Sequence, residues 1–274
     1  MAPRAGVGAA LLLLLVMGAA AAAKDSVAVP ALTPAPGPAE AIGSPANGCL
    51  AGAEALPPQG PGWEVLRPQR NRYWGHPALI AFLERIAGRL RGQGDLLIGD
   101  IGQPRGGPMA SGHASHQIGL DVDVLFRLAA RPLDAAERQH PVFEDMVEAD
   151  GKVDMRRWGA RQVRMLAAFA ADPGVERIFV NSAIKRRLCE TVRTKRGWLR
   201  KIRPWWGHVA HFHVRLACPP DQPYCRPRQP LPPGDGCDAS LAWWFTPEAK
   251  TPAPRVGPKP PLPNACRAIL GAPG

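Results

Sequence analysis

The stretch SGHASHQIGLDVDV (residues 111–124) sets His113 and His116 three apart and follows them with Asp121 and Asp123. A second stretch, HVAHFHV, carries His208, His211 and His213. Five of the seven histidines therefore fall in two short segments that are far apart in the chain. Imidazole and carboxylate together suit zinc, and a catalytic zinc takes three such ligands while keeping a position for water. His116 and, seven residues on, Asp123 meet two of those needs, and His213 can supply the third. His211 shares its strand face with His213 about 7 Å away, near enough to reach a water without ligating the metal. Both histidines point the same way, so spacing alone does not divide the ligand and acid/base roles between them. His113 and His208 each lie near one of these clusters in sequence and could line the cleft. No H-E-x-x-H helix is present, so a histidine is expected as general base rather than that motif's glutamate. The competing reading makes Asp121 and Asp123 merely the wet face of a half-buried strand.

These side chains need elements to hold them. In LDVDVLF (120–126), Leu120, Val122, Val124 and Phe126 fall on one face and the two aspartates on the other, which is the period of a strand. HFHVRLA (211–217) alternates in the same way, with Phe212, Val214 and Leu216 inward and His211, His213 and Arg215 opposite. Helical spacing appears in 76–91, where Leu79, Ile80, Leu83, Ile86 and Leu90 share a stripe behind an early Pro77. A second helix is expected over 156–172, stopped by Pro173-Gly174. A strand ending in a Gly-rich loop is expected at 95–102, another strand at 175–180, and a short helix at 182–189. This irregular order, without repeated βαβ units, predicts an α+β domain: a small, mostly antiparallel sheet with flanking helices.

The ends of the chain read differently. Residues 1–23 combine Arg4, the apolar LLLLLVM and a run of alanines, the pattern of a cleaved signal peptide. Residues 24–47 form a Pro-rich leader expected to build no core, and 247–274 a Pro-rich tail carrying Cys266. Between them, 48–246 is compatible with one domain. No later segment has the length and apolarity of a membrane span. Removing Arg4 with the leader lowers the formal charge from +11 to +10. For an exported chain this balance favours an anionic envelope component over nucleic acid.

An even count of six cysteines in an exported chain suggests disulfides, with fifteen complete pairings open. Cys218 and Cys225 bracket the turn-rich PPDQPY, a natural local pair, and Cys266 is placed to pin the tail. No C-x-x-C supports a thiolate metal site.

RGGPMASGHASHQIGLDVDV, RIFVNSAIKRRLC, WLRKIRPWWGHVAHFHVRLAC and LPPGDGC together resemble the penicillin-insensitive murein endopeptidases. These are zinc enzymes of the LAS group, alongside lysostaphin-type and D-Ala-D-Ala metallopeptidases. The resemblance runs from about Gly48 to Cys266. It implies a LAS-like, disulfide-stapled fold and zinc held by His116, Asp123 and His213. It also implies catalytic histidines at His211 and His208, and further metal contacts at His113 and Asp150. The last belongs to a D-x-x-H pattern in which this chain has Val153 instead of histidine, and Asp150-Gly151 also reads as a plain turn. The implied disulfides are Cys49–Cys266, Cys189–Cys237 and Cys218–Cys225. The implied activity is periplasmic hydrolysis of the D-alanyl–meso-diaminopimelyl cross-link of peptidoglycan. The same scaffold also serves D,D-carboxypeptidases and L-alanyl–D-glutamate peptidases, and a non-catalytic murein-binding protein is the reading from another class.

Overall fold

The computed structural model describes Met1 and residues 31–110, 112–252 and 258–271. The signal-peptide reading therefore lies, Met1 apart, outside the described residues, as does the first part of the leader. Among the described residues eleven strands follow one another: β1 (Glu40–Ser44), β2 (Asn47–Ala51), β3 (Glu54–Ala55), β4 (Gln59–Gly60), β5 (Trp63–Val65), β6 (Trp74–Gly75), β7 (Asp95–Ile98), β8 (Asp121–Ala129), β9 (Val175–Val180), β10 (Ile202–Pro204) and β11 (His211–Leu216). The helices are α1 (Pro77–Arg89), α2 (Ala135–Gln139), α3 (Ala160–Ala171), α4 (Ser182–Thr191), α5 (Ala239–Ala242) and α6 (Asn264–Gly271).

Seven strands form one mixed sheet in the order β10-β9-β11-β8-β7-β5-β4. Its pairs are antiparallel except β10 with β9 and β5 with β7. The apolar faces of β8 and β11 meet α1 and α3 through rings packed edge-on or tilted. Phe212 lies 5.0 Å from Phe169 and 5.3 Å from Phe126, and Phe169 lies 5.8 Å from Phe82. Truncating a fully buried ring such as Phe212 to alanine would cost about 3–5 kcal/mol. Pro77 begins α1, where its missing N–H costs nothing, and the ring of His76 caps the same end by accepting from Ala78 N.

The expected elements differ mainly at their ends. Within 95–102 the strand runs to Ile98, and from Gly99 on comes the expected Gly-rich loop, which crosses the polar sheet face. The helix over 156–172 begins at Ala160, where Gln162 accepts from Gly159 N. Two expectations about the termini need correction. The leader does not run core-free to residue 47, because Glu40–Ser44 is β1, paired with β2, and Ala41 and Ile42 are buried. The tail is not Pro-rich coil throughout, because it closes with α6. Cys266 on α6 joins Cys49 on β2, and Ile42 packs beside that bridge with Leu262, Ile269 and Leu270. The other bridges are Cys189–Cys237 and Cys218–Cys225. All three are the pairs that the resemblance implies. No described helix is long and apolar enough to cross a membrane.

This packing has a purpose for the sheet's other face. The loop from Gly99 to Leu120 lies over it and is held from outside by the β1–β2 hairpin and the tail. Leu50 N donates to Arg105 O, Gln117 N to Pro45 O, and Arg105 Nη1 to Ile269 O. Gly119 sits at φ +67, and a Cβ there would run into Leu50, so the loop closes only with glycine at that point.

Candidate active site

Register places the functional side chains. His213 lies opposite Asp123 and Arg215 opposite Asp121 across the β8–β11 ladder. All four belong to the polar face, yet all four are buried. The wet-face reading of the aspartates therefore fails, because the Gly99–Leu120 loop covers them. The loop brings its own histidines. His116 is fully buried in the left-handed region at φ +67, a conformation that costs on the order of 1–3 kcal/mol unless its surroundings fix it. Asp121 Oδ2 does so by accepting from His116 N at 3.1 Å. The His116 ring then lies 4.4 Å from that of His113 and 4.5 Å from that of His213.

The ring nitrogens can be assigned from their partners. His116 Nδ1 lies 2.7 Å from Ile101 O, which only accepts, so that nitrogen carries the proton and Nε2 is bare. His213 Nε2 lies 2.8 Å from Asp121 Oδ1, so in the neutral ring Nδ1 is bare. The two bare nitrogens face each other at 3.1 Å. Asp123 Oδ1 stands 3.2 Å from His213 Nδ1 and 3.5 Å from His116 Nε2, buried and without a hydrogen bond. With both rings neutral, three lone-pair donors converge, and two imidazoles with a carboxylate are a zinc-type donor set. Histidine ligands ordinarily donate their second nitrogen to a carboxylate or carbonyl, as Asp121 and Ile101 provide here.

His113 stands at the edge of the same cluster. Its Nε2 is 2.9 Å from Asp100 Oδ2, which also takes Arg72 at 2.9 Å and Arg70 at 3.1 Å. Its Nδ1 is left 3.6 Å from Asp123 Oδ2. His113, His116 and Asp123 each offer one ligand atom within 4.8 Å of the others.

Burial alone would raise Asp121, but Arg215 and then His213 hold it far below the usual carboxylate range. Asp123 is likewise driven well down against its burial, by His116 first. His213 moves up, because Asp121 outweighs its burial. His211 and His208 move the other way. Burial depresses His211 in spite of Asp123, and burial together with neighbouring His211 and His213 takes His208 down to about 4. His211 remains partly exposed, its Nε2 3.8 Å from Asp123 Oδ2, and its ring is 5.0 Å from that of His208. His208 Nδ1 donates to Trp206 O at 2.6 Å, so its Nε2 keeps a lone pair.

The structure thus gathers His113, His116, Asp123, His208, His211 and His213. It does not bring Asp150 to them. That carboxylate sits in an exposed turn, accepting from Lys152 N at 2.9 Å and Lys152 Nζ at 2.8 Å. Three residues of the site escaped sequence reasoning: Asp121 and Arg215 as the pair that orients His213, and Asp100 behind His113. The first pair had a signal, since opposite charges stood on the polar faces of two alternating strands. Asp100 had none.

Comparison with known proteins gives a consistent match. Residues 41–271 match the family model described as penicillin-insensitive murein endopeptidase. A protein of that name from Haemophilus influenzae is 46% identical over 243 residues, covering 86% of this chain and 84% of that one. Another from Salmonella heidelberg is 46% identical over 241 residues, covering 86% and 88% respectively. A third, from Salmonella typhi, shows the same identity and coverage.

Proposed function

The chain belongs to the penicillin-insensitive murein endopeptidase family, and from that premise we propose that it is a zinc-dependent enzyme cutting the D-alanyl–meso-diaminopimelyl cross-link of peptidoglycan. The observation that carries the metal is the convergence of His116 Nε2, His213 Nδ1 and the unpartnered Asp123 Oδ1. His116, Asp123 and His213 would hold the ion, with His113 at its margin. Bound there, zinc supplies Lewis acidity that polarises a carbonyl and lowers the pKa of water toward ~7.

The chain's own residues supply the rest. Asp121 and the Ile101 carbonyl fix the tautomers of the neutral ligand histidines, so that His116 Nε2 and His213 Nδ1 turn their lone pairs to the cluster. His211, kept neutral by burial and open to the cleft, takes the proton from the attacking water. The water oxygen adds to the peptide carbon, the C–N bond breaks, and the same proton passes to the leaving amine. His208, also neutral, stands beside His211 and shares that proton traffic. No serine acyl-enzyme is needed. Penicillin acts by acylating such a serine, so its lack of effect follows from the chemistry.

On this reading the domain is LAS-like, supported by Asp123 of the H-x₆-D pattern and His213 of the H-x-H pattern facing each other on adjoining antiparallel strands. The envelope location is supported by three disulfides and no free cysteine, together with the leader read in the sequence. Digestion of purified cross-linked muropeptide dimers, with products identified by mass, tests the reading. Cleavage should stop in excess chelator, return with zinc, and ignore penicillin. Undiminished cleavage by metal-free protein would refute the metal mechanism, and release of only a terminal D-alanine would make the enzyme a carboxypeptidase.

A further inference from the structure

The polar sheet face does not end at His213. Phe179 on β9 lies opposite His213 in register, and their rings meet edge to face at 5.3 Å. Phe179 in turn touches Trp205 at 5.4 Å. From Trp205 the rings continue through Trp206 at 5.1 Å to Trp244 at a further 4.7 Å, and Trp243 stands 5.3 Å from Trp244. Half of the chain's eight tryptophans are in this one wall. Trp205 and Trp243 are each 46% exposed, which is unusual for so large an apolar side chain.

The wall is held in place from behind. Trp206 Nε1 donates to Ala249 O at 2.7 Å, so its polar edge is satisfied inside the protein. The segment leading to Trp243 is tied to α4 by Cys189–Cys237, and Lys185 Nζ on that helix donates to Asp235 O at 2.6 Å. Arg186 of the same helix covers the Phe245 ring at 3.7 Å. So many ties fix the rings before any ligand arrives, which lowers the ordering cost of binding. Exposed apolar surface that is built and continuous with a reaction site marks a binding surface.

We propose that this aromatic wall seats the glycan strand of the substrate by stacking its sugar rings on Trp205 and Trp243. The identity of the saccharide rests on the endopeptidase reading above. A pyranose presents a flat face of weakly positive C–H bonds, the complement of the negative face of an indole. Its hydroxyls and N-acetyl groups stay at the rim, in water. A peptide would instead use unpaired backbone, and Trp205 N is already spent on Val180 O. Peptide stems branch from the sugars, and an extended stem of four residues reaches roughly 14 Å. A strand resting on rings that begin one Phe179 away from His213 therefore delivers its cross-link to the histidines.

Peptide-free glycan strands, titrated calorimetrically into the full chain, test this without relying on cleavage. The wild type should bind, and Trp205→Ala and Trp243→Ala should each weaken binding roughly tenfold, in line with the usual worth of one stacked ring. Trp205→Phe and Trp243→Phe should keep part of the affinity, which separates lost stacking from lost folding. Tyr224→Ala removes another exposed ring, in the Cys218–Cys225 loop and outside the wall, and should bind like the wild type. The proposal is overturned if the wild type ignores glycan strands. It also falls if Tyr224→Ala loses as much, or if the wall variants lose affinity only for sugar-free cross-linked peptides or for anionic lipid vesicles. A chain that binds glycan through the wall but cleaves no muropeptide would keep the wall and sink the endopeptidase reading instead.

Discussion

Asp121 and Asp123 stand two residues apart on one face of β8, both buried, and each faces a side chain of β11 directly across the ladder. Asp121 is closed on every side: Arg215 Nε at 2.6 Å, His213 Nε2 at 2.8 Å and His116 N at 3.1 Å. Asp123 has an oxygen without a hydrogen bond, aimed at two ring nitrogens that are bare while both rings are neutral. The same residue type in neighbouring rows is thus finished by the protein in one case and left open in the other. A buried unpaired carboxylate oxygen is costly, and so is a pair of facing lone pairs. The open row makes sense with a cation in it, and the closed row is what shapes it.

The largest effect should come from emptying the open row. His213→Ala removes a converging nitrogen, so bound zinc by elemental analysis should fall to near background and turnover with it. If the variant keeps one zinc per chain, the row is not the metal site. His211→Ala should keep the metal while turnover drops by roughly 10²–10⁴, the usual worth of general acid–base help. The opposite pattern, with zinc lost from the His211 variant and kept by the His213 variant, would exchange the two roles.

A smaller effect is expected from the closed row. In Asp121→Asn, the amide still bonds but no longer carries the charge that holds His213 in one tautomer. Zinc affinity, measured by chelator competition, should fall by about 10–100-fold. Thermal melting should also show a loss of stability, because Arg215 would be left buried without its countercharge. Unchanged zinc affinity in a folded variant would mean that Asp121 is a structural ion pair only.

The contrast between the rows also marks how far the sequence could be read. Strict alternation in LDVDVLF and HFHVRLA was enough to predict both strands and to put His213, His211, Asp121 and Asp123 on polar faces. It was not enough to predict that this face is buried, because the cover is a loop without periodicity, held by the β1–β2 hairpin and α6 from distant parts of the chain. Loop geometry depends on long-range packing such as Leu50 against Gly119 and the Cys49–Cys266 bridge, which no local pattern encodes. For the same reason β1 was missed within the leader. The small residues of EAIGS carry little strand propensity and gain their place only by pairing with β2. Asp100 was unreadable because its three partners come from elsewhere: Arg70 and Arg72 from upstream, His113 from the loop.

The smallest effect tests the one candidate ligand that the fold leaves outside. Asp150 would matter if the turn carrying it completed the open row, as a D-x-x-H pattern would suggest. Here the position three residues on is Val153, which bridges to Val147, and the carboxylate is spent on Lys152. Exposed ion pairs of this kind contribute about 0–1 kcal/mol, and their loss is felt locally. Asp150→Ala should therefore leave zinc content unchanged and kcat/KM within about twofold of wild type, on the same muropeptide dimer used for the histidine variants. A drop beyond about tenfold, or a lost fraction of zinc, would show that the turn reaches the histidines during turnover. His113 would then have a second partner for a cation, and the open row would extend past Asp123 toward the surface.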